Sequence, residues 1–260
     1  MKERTVLLEK NGSIATLTLS RPSALNSLNQ QMVDELSAAL KAVETDSEVR
    51  VVVLTGAGRA FCAGGDLNYL ESIAGTPAAE QFITEVGGLV AAIMELPKPV
   101  IAMVNGAAAG AGFNLALACD LVVASKTAKF AQSFVKVGLV PDCGGLYLLP
   151  RLAGLNKAKE LMFTADIIGA ETASELGLVN KLAEADELVK VTDDLAKKLA
   201  AAAPLAIARM KKALNKSDEL TLRETLAMEA DLQAKSLATA DYQEGVKAFR
   251  EKRQPVFKGE

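Results

Sequence analysis

Val100-Ile101-Ala102-Met103-Val104-Asn105-Gly106-Ala107-Ala108-Ala109-Gly110-Ala111-Gly112-Phe113-Asn114-Leu115-Ala116-Leu117-Ala118 is the stretch on which the fold turns. Val100 to Val104 is an unbroken apolar run, the pattern of a strand covered on both faces. Gly106 to Gly112 follows as a loop of small residues, and Phe113 to Ala118 reads as a helix. Leu121-Val122-Val123-Ala124 is then a further strand. The stretch is apolar enough to raise the question of a membrane. Its Gly/Ala content and its two asparagines, Asn105 and Asn114, fit a protein core instead.

The same arrangement occurs upstream. Val51-Val52-Val53-Leu54 is a short apolar run ending at Gly56-Ala57-Gly58, and Gln81 to Leu96 is a helix stopped by Pro97 and Pro99. Ile14 to Leu19 alternates at period two and predicts a strand closed by Arg21-Pro22. Leu28 to Val43 has helical spacing, with Met32, Val33, Leu36, Ala39, Leu40 and Val43 on one side. Strands alternating with helices predict an α/β core of parallel strands. The units recur about every 45–50 residues without sequence self-similarity. Beyond about residue 185 the pattern is helical only: Glu187 to Ala203, Pro204 to Leu214, Leu222 to Leu237 and Tyr242 to Lys252. Residues 1–200 are therefore expected to form the core and residues 201–260 a helical appendage.

Composition narrows the chemistry. Of 260 residues, half are hydrophobic and 23% charged, and the net charge is −3, which excludes a disordered chain. A near-neutral balance, 4% aromatic residues and no Trp argue against nucleic-acid binding. The first residues carry no apolar signal region, and the three cysteines are scattered, so a reducing cytoplasm is the expected location. The absence of histidine is the sharpest fact. It removes Ser-His-Asp and Cys-His mechanisms, His-ligated haem and nearly all catalytic zinc sites. Acid–base work falls to Asp, Glu, Lys, Tyr or Cys.

Two small-residue loops each follow a strand and precede a helix: Ala60-Phe61-Cys62-Ala63-Gly64-Gly65-Asp66-Leu67 and Asn105 to Asn114. A helix N-terminus leaves N–H groups free, and two such donors aimed at one point would form an oxyanion hole. Small residues also permit tight helix–sheet packing, and either loop by itself fits that reading as well. Neither matches GxGxxG, and no Walker A lysine follows.

Taken together with other segments, the loops carry a resemblance. Arg21-Pro22 with Leu25-Asn26-Ser27-Leu28, Phe61 to Leu67, Lys98-Pro99-Val100-Ile101-Ala102, Asn105-Gly106, Ala118-Cys119-Asp120-Leu121, Gly138-Leu139-Val140-Pro141-Asp142-Cys143-Gly144-Gly145 and Phe249 to Phe257 fall in one order and spacing. The chain resembles the enoyl-CoA hydratase/isomerase (crotonase) superfamily over essentially its whole length. The resemblance implies a spiral of ββα units with a C-terminal helical trimerisation region, assembled as a trimer or a dimer of trimers. It implies an acyl-CoA thioester substrate, with CoA part of the substrate, no separate cofactor and no metal. Neither a nucleic acid nor a membrane is an expected partner.

The carbonyl of that thioester would lie between the backbone N–H groups of Gly65 and Ala111. CoA contacts would fall on Ala24, Leu25, Ala63, Gly64, Asp66 and Leu67, joined by Phe249 and Lys252 from a neighbouring subunit. Lys252 equally fits a solvated helix face.

Departures from the hydratase pattern matter most. The two glutamates that hydratases use match Asn114 and Phe134 here. An amide is no general base and a phenyl ring binds no water. Asp142 is the remaining acid, where several isomerases carry a carboxylate, and one carboxylate beside an enolate suffices for a 1,3-proton shift. The alternative is that Asp142 caps a helix after Pro141. Gln132 to Asp142 especially resembles the ring-epoxide isomerases of phenylacetate breakdown, which are close to the Δ3,Δ2-enoyl-CoA isomerases.

The expected function is thus an enoyl-CoA isomerase with Asp142 as proton shuttle. The alternatives are an enoyl-CoA hydratase and a catalytically silent acyl-CoA-binding oligomer. Asp66 is expected to cap the next helix and Asp120 to make structural hydrogen bonds. Cys62 and Cys143 read as packing residues, and Tyr147 as a core or surface residue. Glu71, Glu80 and Glu85 lie in the segment 65–95, which is expected to shape the acyl pocket.

Overall fold

The computed structural model describes residues 4–260. A hairpin opens it, β1 (Val6–Asn11) and β2 (Ile14–Leu19), paired in register over all six residues of each strand. The sequence pattern did not reveal β1, because five of its six side chains are exposed and its apolar residues do not alternate. Pairing with β2 makes it a strand.

Next comes α1 (Gln30–Thr45), whose N-terminus is capped by Asn29 accepting from the Met32 N–H. It buries Met32, Val33, Leu36, Leu40 and Val43, the face expected from the spacing.

Three turns of a spiral follow. The first is β3 (Val51–Gly56), β4 (Ala60–Cys62), α2 (Leu67–Ile73) and α3 (Pro77–Glu95). The second is β5 (Val100–Val104), β6 (Ala107–Ala109) and α4 (Ala111–Ala118). The third is β7 (Leu121–Ser125) and β8 (Lys129–Ala131), leading through a 3-10 turn at Ser133–Val137 to α5 (Gly145–Ala153) and α6 (Leu155–Thr164). Then come β9 (Ile168–Gly169), α7 (Ala170–Glu175), β10 (Lys181–Ala183) and α8 (Leu188–Ala200).

In each turn the long strand joins one sheet and the short strand a second. The first sheet runs β1-β2-β3-β5-β7-β10, parallel except for β1. The second runs β4-β6-β8-β9, with β9 antiparallel. This is the ββα spiral that the resemblance implied. The loop expected at Gly106–Gly112 is corrected in part, since Ala107–Ala109 is a strand. Three residues are too short to show a period, and only the neighbouring β4 and β8 define them.

Glycines make the corners between the sheets possible. A Cβ on Gly56 would lie 2.3 Å from the Ala60 and Phe61 carbonyl oxygens, and one on Gly106 would lie 2.1 Å from that of Arg59. Asn26, fully buried, donates from its amide to the carbonyls of Ala57 and Ala60. It thereby pins the 21–28 segment to the first corner.

The main core lies between the sheets and α1, α3 and α4. A second cluster covers the other face of the first sheet, where Val51, Val53, Ile101 and Val123 meet Leu188, Ala196 and Ala200 of α8. Cover on both faces explains the unbroken apolar runs of β3 and β5.

The C-terminal helices are α9 (Pro204–Leu214), α10 (Leu222–Leu237) and α11 (Ala240–Glu251). The buried Lys211 ties α9 to the core through Asp120 at 2.8 Å and the Ile93 carbonyl at 2.8 Å. Asp120 also accepts from the Val100 N–H at 2.7 Å, the structural role expected of it. No helix of the described residues is long and apolar enough to cross a membrane.

α4 is buried along its whole length and abuts β4. A Cβ on Gly112 would meet the Cys62 carbonyl oxygen at 2.1 Å, a backbone atom that cannot swing aside. Gly112→Ala should therefore destabilise the fold at the upper end of the overpacking range, about 1–3 kcal/mol. The check is the midpoint of denaturant unfolding against wild type.

Candidate active site

The two small-residue loops meet at one cavity. The segment after β4 runs beside Ala24–Leu28: Ala63 N–H donates to Leu25 O, Leu28 N–H to Gly64 O, and Asp66 N–H to Leu28 O. Gly64, at φ +99°, lies against the backbone of the second loop, where a Cβ would fall 2.9 Å from the Ala109 oxygen and 3.5 Å from the Ala111 nitrogen. Only glycine satisfies both demands, and the close approach brings Gly65 and Ala111 into the same wall.

That wall bounds a cavity of about 410 Å³. Gly65, Ala111 and Asp142 line it together, with Ala63, Gly64 and Leu67. Neither the Gly65 nor the Ala111 N–H donates to any acceptor among the described residues. Ala111 is the first residue of α4, where an N–H has no partner inside the helix and the helix dipole favours negative charge. Most of the remaining wall is apolar. Leu70, Ile73, Phe82, Ile83 and Val86 come from α2 and α3, and Phe134 and Leu139 from the 133–139 segment. The segment expected to shape the pocket does form this wall, while Glu71, Glu80 and Glu85 do not reach it.

Asp142 is the one carboxyl in the lining among the described residues, and Lys136 the one cation. The Asp142 carboxyl is mostly removed from water, and its Oδ1 is buried with no hydrogen-bond partner. Burial raises its pKa to about 6, against a smaller opposing effect of its own backbone N–H. It caps no helix: the N-cap of α5 is Gly144, and no side chain bonds the first turn. The capping alternative fails because the chain turns at Cys143 and Gly144, both at positive φ, before the helix begins.

The other expected residues fall as follows. Asp66 caps α2, accepting from the Asn68 and Tyr69 N–H groups, and pairs with Arg21 at 2.9 Å. Its carboxylate is thus committed to the loop. Ala24 and Leu25 sit beside Ala63 and Gly64 but outside the cavity lining. Phe249 and Lys252 lie at the end of α11, and Phe249 lines a separate apolar groove with Leu205, Leu237 and Phe257. The structure brings neither of them to the cavity within one chain.

The Cys62 and Cys143 thiols are fully buried, and burial pushes Cys62 up to about 12 and Cys143 well above its ordinary value. Both are packing residues. Tyr147 donates to Glu219 and stacks under Arg151, away from the cavity. Among the described residues, no cluster of three or more Cys, Asp or Glu could hold a metal ion.

Asn114 and Phe134, the positions that the resemblance matches to the hydratase glutamates, carry no carboxyl. Asn114 is 0% exposed and turns away from solvent, donating from Nδ2 to the Asp142 carbonyl at 2.8 Å and accepting at Oδ1 from Gln132 Nε2 at 2.7 Å. Sequence reasoning missed Gln132, because nothing in a lone glutamine announces that it is buried.

Comparison with known proteins agrees with this architecture. Residues 9–260 match the family model described as enoyl-CoA hydratase/isomerase. The chain is 42% identical over 260 residues to 1,2-epoxyphenylacetyl-CoA isomerase of Escherichia coli strain K12, covering 98% of each chain. It is 38% identical over 254 residues to short-chain-enoyl-CoA hydratase of Clostridium acetobutylicum, covering 97% of each. Among solved structures, an enoyl-CoA hydratase from Bacillus anthracis superposes with a TM-score of 0.95 at 33% identity, over 98% of this chain and 100% of that one. One from Polaromonas sp. JS666 gives 0.94 at 40% identity, over 97% and 99%. With its spiral of ββα units and its two loops meeting at one cavity, the chain belongs to the enoyl-CoA hydratase/isomerase family.

Proposed function

We propose that this protein isomerises an enoyl-CoA thioester, shifting its C=C bond by a 1,3-proton transfer with Asp142 as the shuttle. The observation that carries the proposal is Asp142 itself, the one carboxyl among the described residues in an otherwise largely apolar cavity that is also lined by Gly65 and Ala111, whose N–H groups have no acceptor there. The thioester oxygen accepts from these two donors. As the carboxylate removes the proton at C2, negative charge moves onto that oxygen and the donors stabilise it. Returning the proton at C4 moves the double bond into conjugation. Substrate in, product out and enzyme unchanged, the step balances without any added reactant.

Hydration needs a second group to hold and activate water. Asn114 is spent on the Asp142 carbonyl and Gln132, and Phe134 offers no polar atom. The site therefore favours isomerisation, although relatives carry both isomerase and hydratase names. The 1,2-epoxyphenylacetyl-CoA isomerase relative makes a ring-derived acyl group one substrate to test.

CoA is proposed to run along Ala24, Leu25, Ala63, Gly64, Asp66 and Leu67. Phe249 and Lys252 would join it from another copy in a trimer or a dimer of trimers. The exposed apolar side chains Val135, Val140, Leu146 and Phe249 support assembly with other copies.

Conversion of a 3-enoyl-CoA to the conjugated 2-enoyl-CoA, followed by absorbance, tests the proposal. Turnover of the 3-enoyl substrate is the expected result. Hydration of a 2-enoyl-CoA with no isomerisation would overturn it. A base must be ionised to act, so kcat/KM, which reports the free enzyme, should fall as pH drops through about 6, the value to which burial raises Asp142. An acid limb near 4 would mean that a solvated carboxylate does the work.

A further inference from the structure

Asn114 joins the two halves of the site. It lies three residues after Ala111 on the buried helix α4, so the donor and the amide move as one body. Its Nδ2 donates to the backbone carbonyl of Asp142 at 2.8 Å, and its Oδ1 accepts from Gln132 at 2.7 Å. Gln132 is 1% exposed and immediately precedes Ser133 and Phe134, which line the cavity.

The orientation of both amides is dictated by one atom. A backbone carbonyl only accepts, so the Asn114 NH₂ must face Asp142, and its oxygen is left for the Gln132 NH₂. On the far side, Gly145 leaves the space: a Cβ there would lie 2.3 Å from Asn114 Nδ2. The Asp142 carbonyl also accepts from the Gly145 N–H at 3.0 Å, a local bond within the turn, so Asn114 is the side chain that ties this turn to α4. The chain just beyond Asp142 passes through positive φ at Cys143 (50°) and Gly144 (72°), and no side chain caps α5.

We propose that Asn114 is a positioning residue, which through its bond to the Asp142 carbonyl holds the Asp142 carboxyl at a set distance from the Ala111 donor, with Gln132 holding the Asn114 amide in the required sense. The inference rests on the reading of Asp142 as the proton shuttle. It gives the amide at position 114 a duty that a carboxylate could not perform, since an ionised oxygen would face the carbonyl.

The test uses the full-length protein in three variants, Asn114→Ala, Asn114→Asp and Gln132→Met, beside Asp142→Asn. For each, kcat and KM for a 3-enoyl-CoA are measured, and the Asp142 carboxyl is titrated by carbon-13 NMR. Asn114→Ala should lower kcat about 10- to 100-fold, as an ångström-scale misplacement does, with KM within about threefold. The Asp142 titration should move from about 6 towards the ordinary carboxylate range as the segment gains access to water.

Asn114→Asp is close to isosteric and adds a sharper readout. Its protonated form still donates to the carbonyl, so its activity should decline with rising pH where the wild type is flat. Gln132→Met should reproduce the kcat loss more weakly, and it supplies the answer if the Asn114 variants do not fold. Unchanged kcat and an unchanged Asp142 titration in a folded variant would overturn the proposal. Full turnover in Asp142→Asn would instead overturn the shuttle, while the titration would still report whether Asn114 holds that side chain.

Discussion

Asp142→Asn is expected to lower isomerase kcat by about 10³-fold while acyl-CoA binding persists, the middle of the range for losing a positioned general base. The same substitution should make the protein more stable at neutral pH. Burial raises the folded-state pKa of Asp142 from 3.8 to about 6, so the folded protein binds this proton more tightly than the unfolded chain does. Stability from that proton is complete below about pH 4 and is lost as pH rises through about 6. At pH 7 the buried carboxylate therefore works against the fold, by about 2 kcal/mol after allowing for its partial exposure. Asparagine carries no charge and escapes the penalty. The signature is a variant with almost no turnover, a higher melting temperature than wild type at pH 7, and no such gain at pH 4. A loss of activity with lower stability at both pH values would indicate a structural role instead.

Ala111→Pro should cost about 10²–10³ in kcat, the loss that accompanies removal of one oxyanion donor. Position 111 is the first residue of α4, where proline is tolerated because no helical hydrogen bond is forfeited. The substitution removes the N–H and leaves the remaining helix able to form. Spectroscopy should show a folded protein that still binds CoA and fails in the chemical step. Turnover within threefold of wild type would place the thioester oxygen elsewhere.

These two experiments probe groups of unequal legibility. Asp142 could be picked out from the chain because the absence of histidine leaves few bases, and because the family resemblance matches Asn114 and Phe134 to the positions where hydratases carry glutamates. That it is free of any capping duty could not be read there. Gly144, two residues on, takes the N-cap of α5, and this follows from the path of the chain through positive φ. Asp66 shows the reverse case. Its place just before a helix reads as a cap, the folded loop makes it one, and the Arg21 partner that also holds its carboxylate is supplied by the fold.

The sequence by itself determined the alternation of strand and helix, the buried face of α1, the parallel character of the first sheet and the two small-residue loops that meet at the cavity. Each is written in local periodicity or in runs of small residues that let two backbones approach closely. Tertiary structure alone decided β1, the three-residue strands of the second sheet and the Gln132–Asn114–Asp142 chain. Short strands have no period to show and exist only through hydrogen bonds to neighbours tens of residues away. The polar chain depends on burial, which leaves the two amides to bond each other and the Asp142 carbonyl rather than bulk solvent.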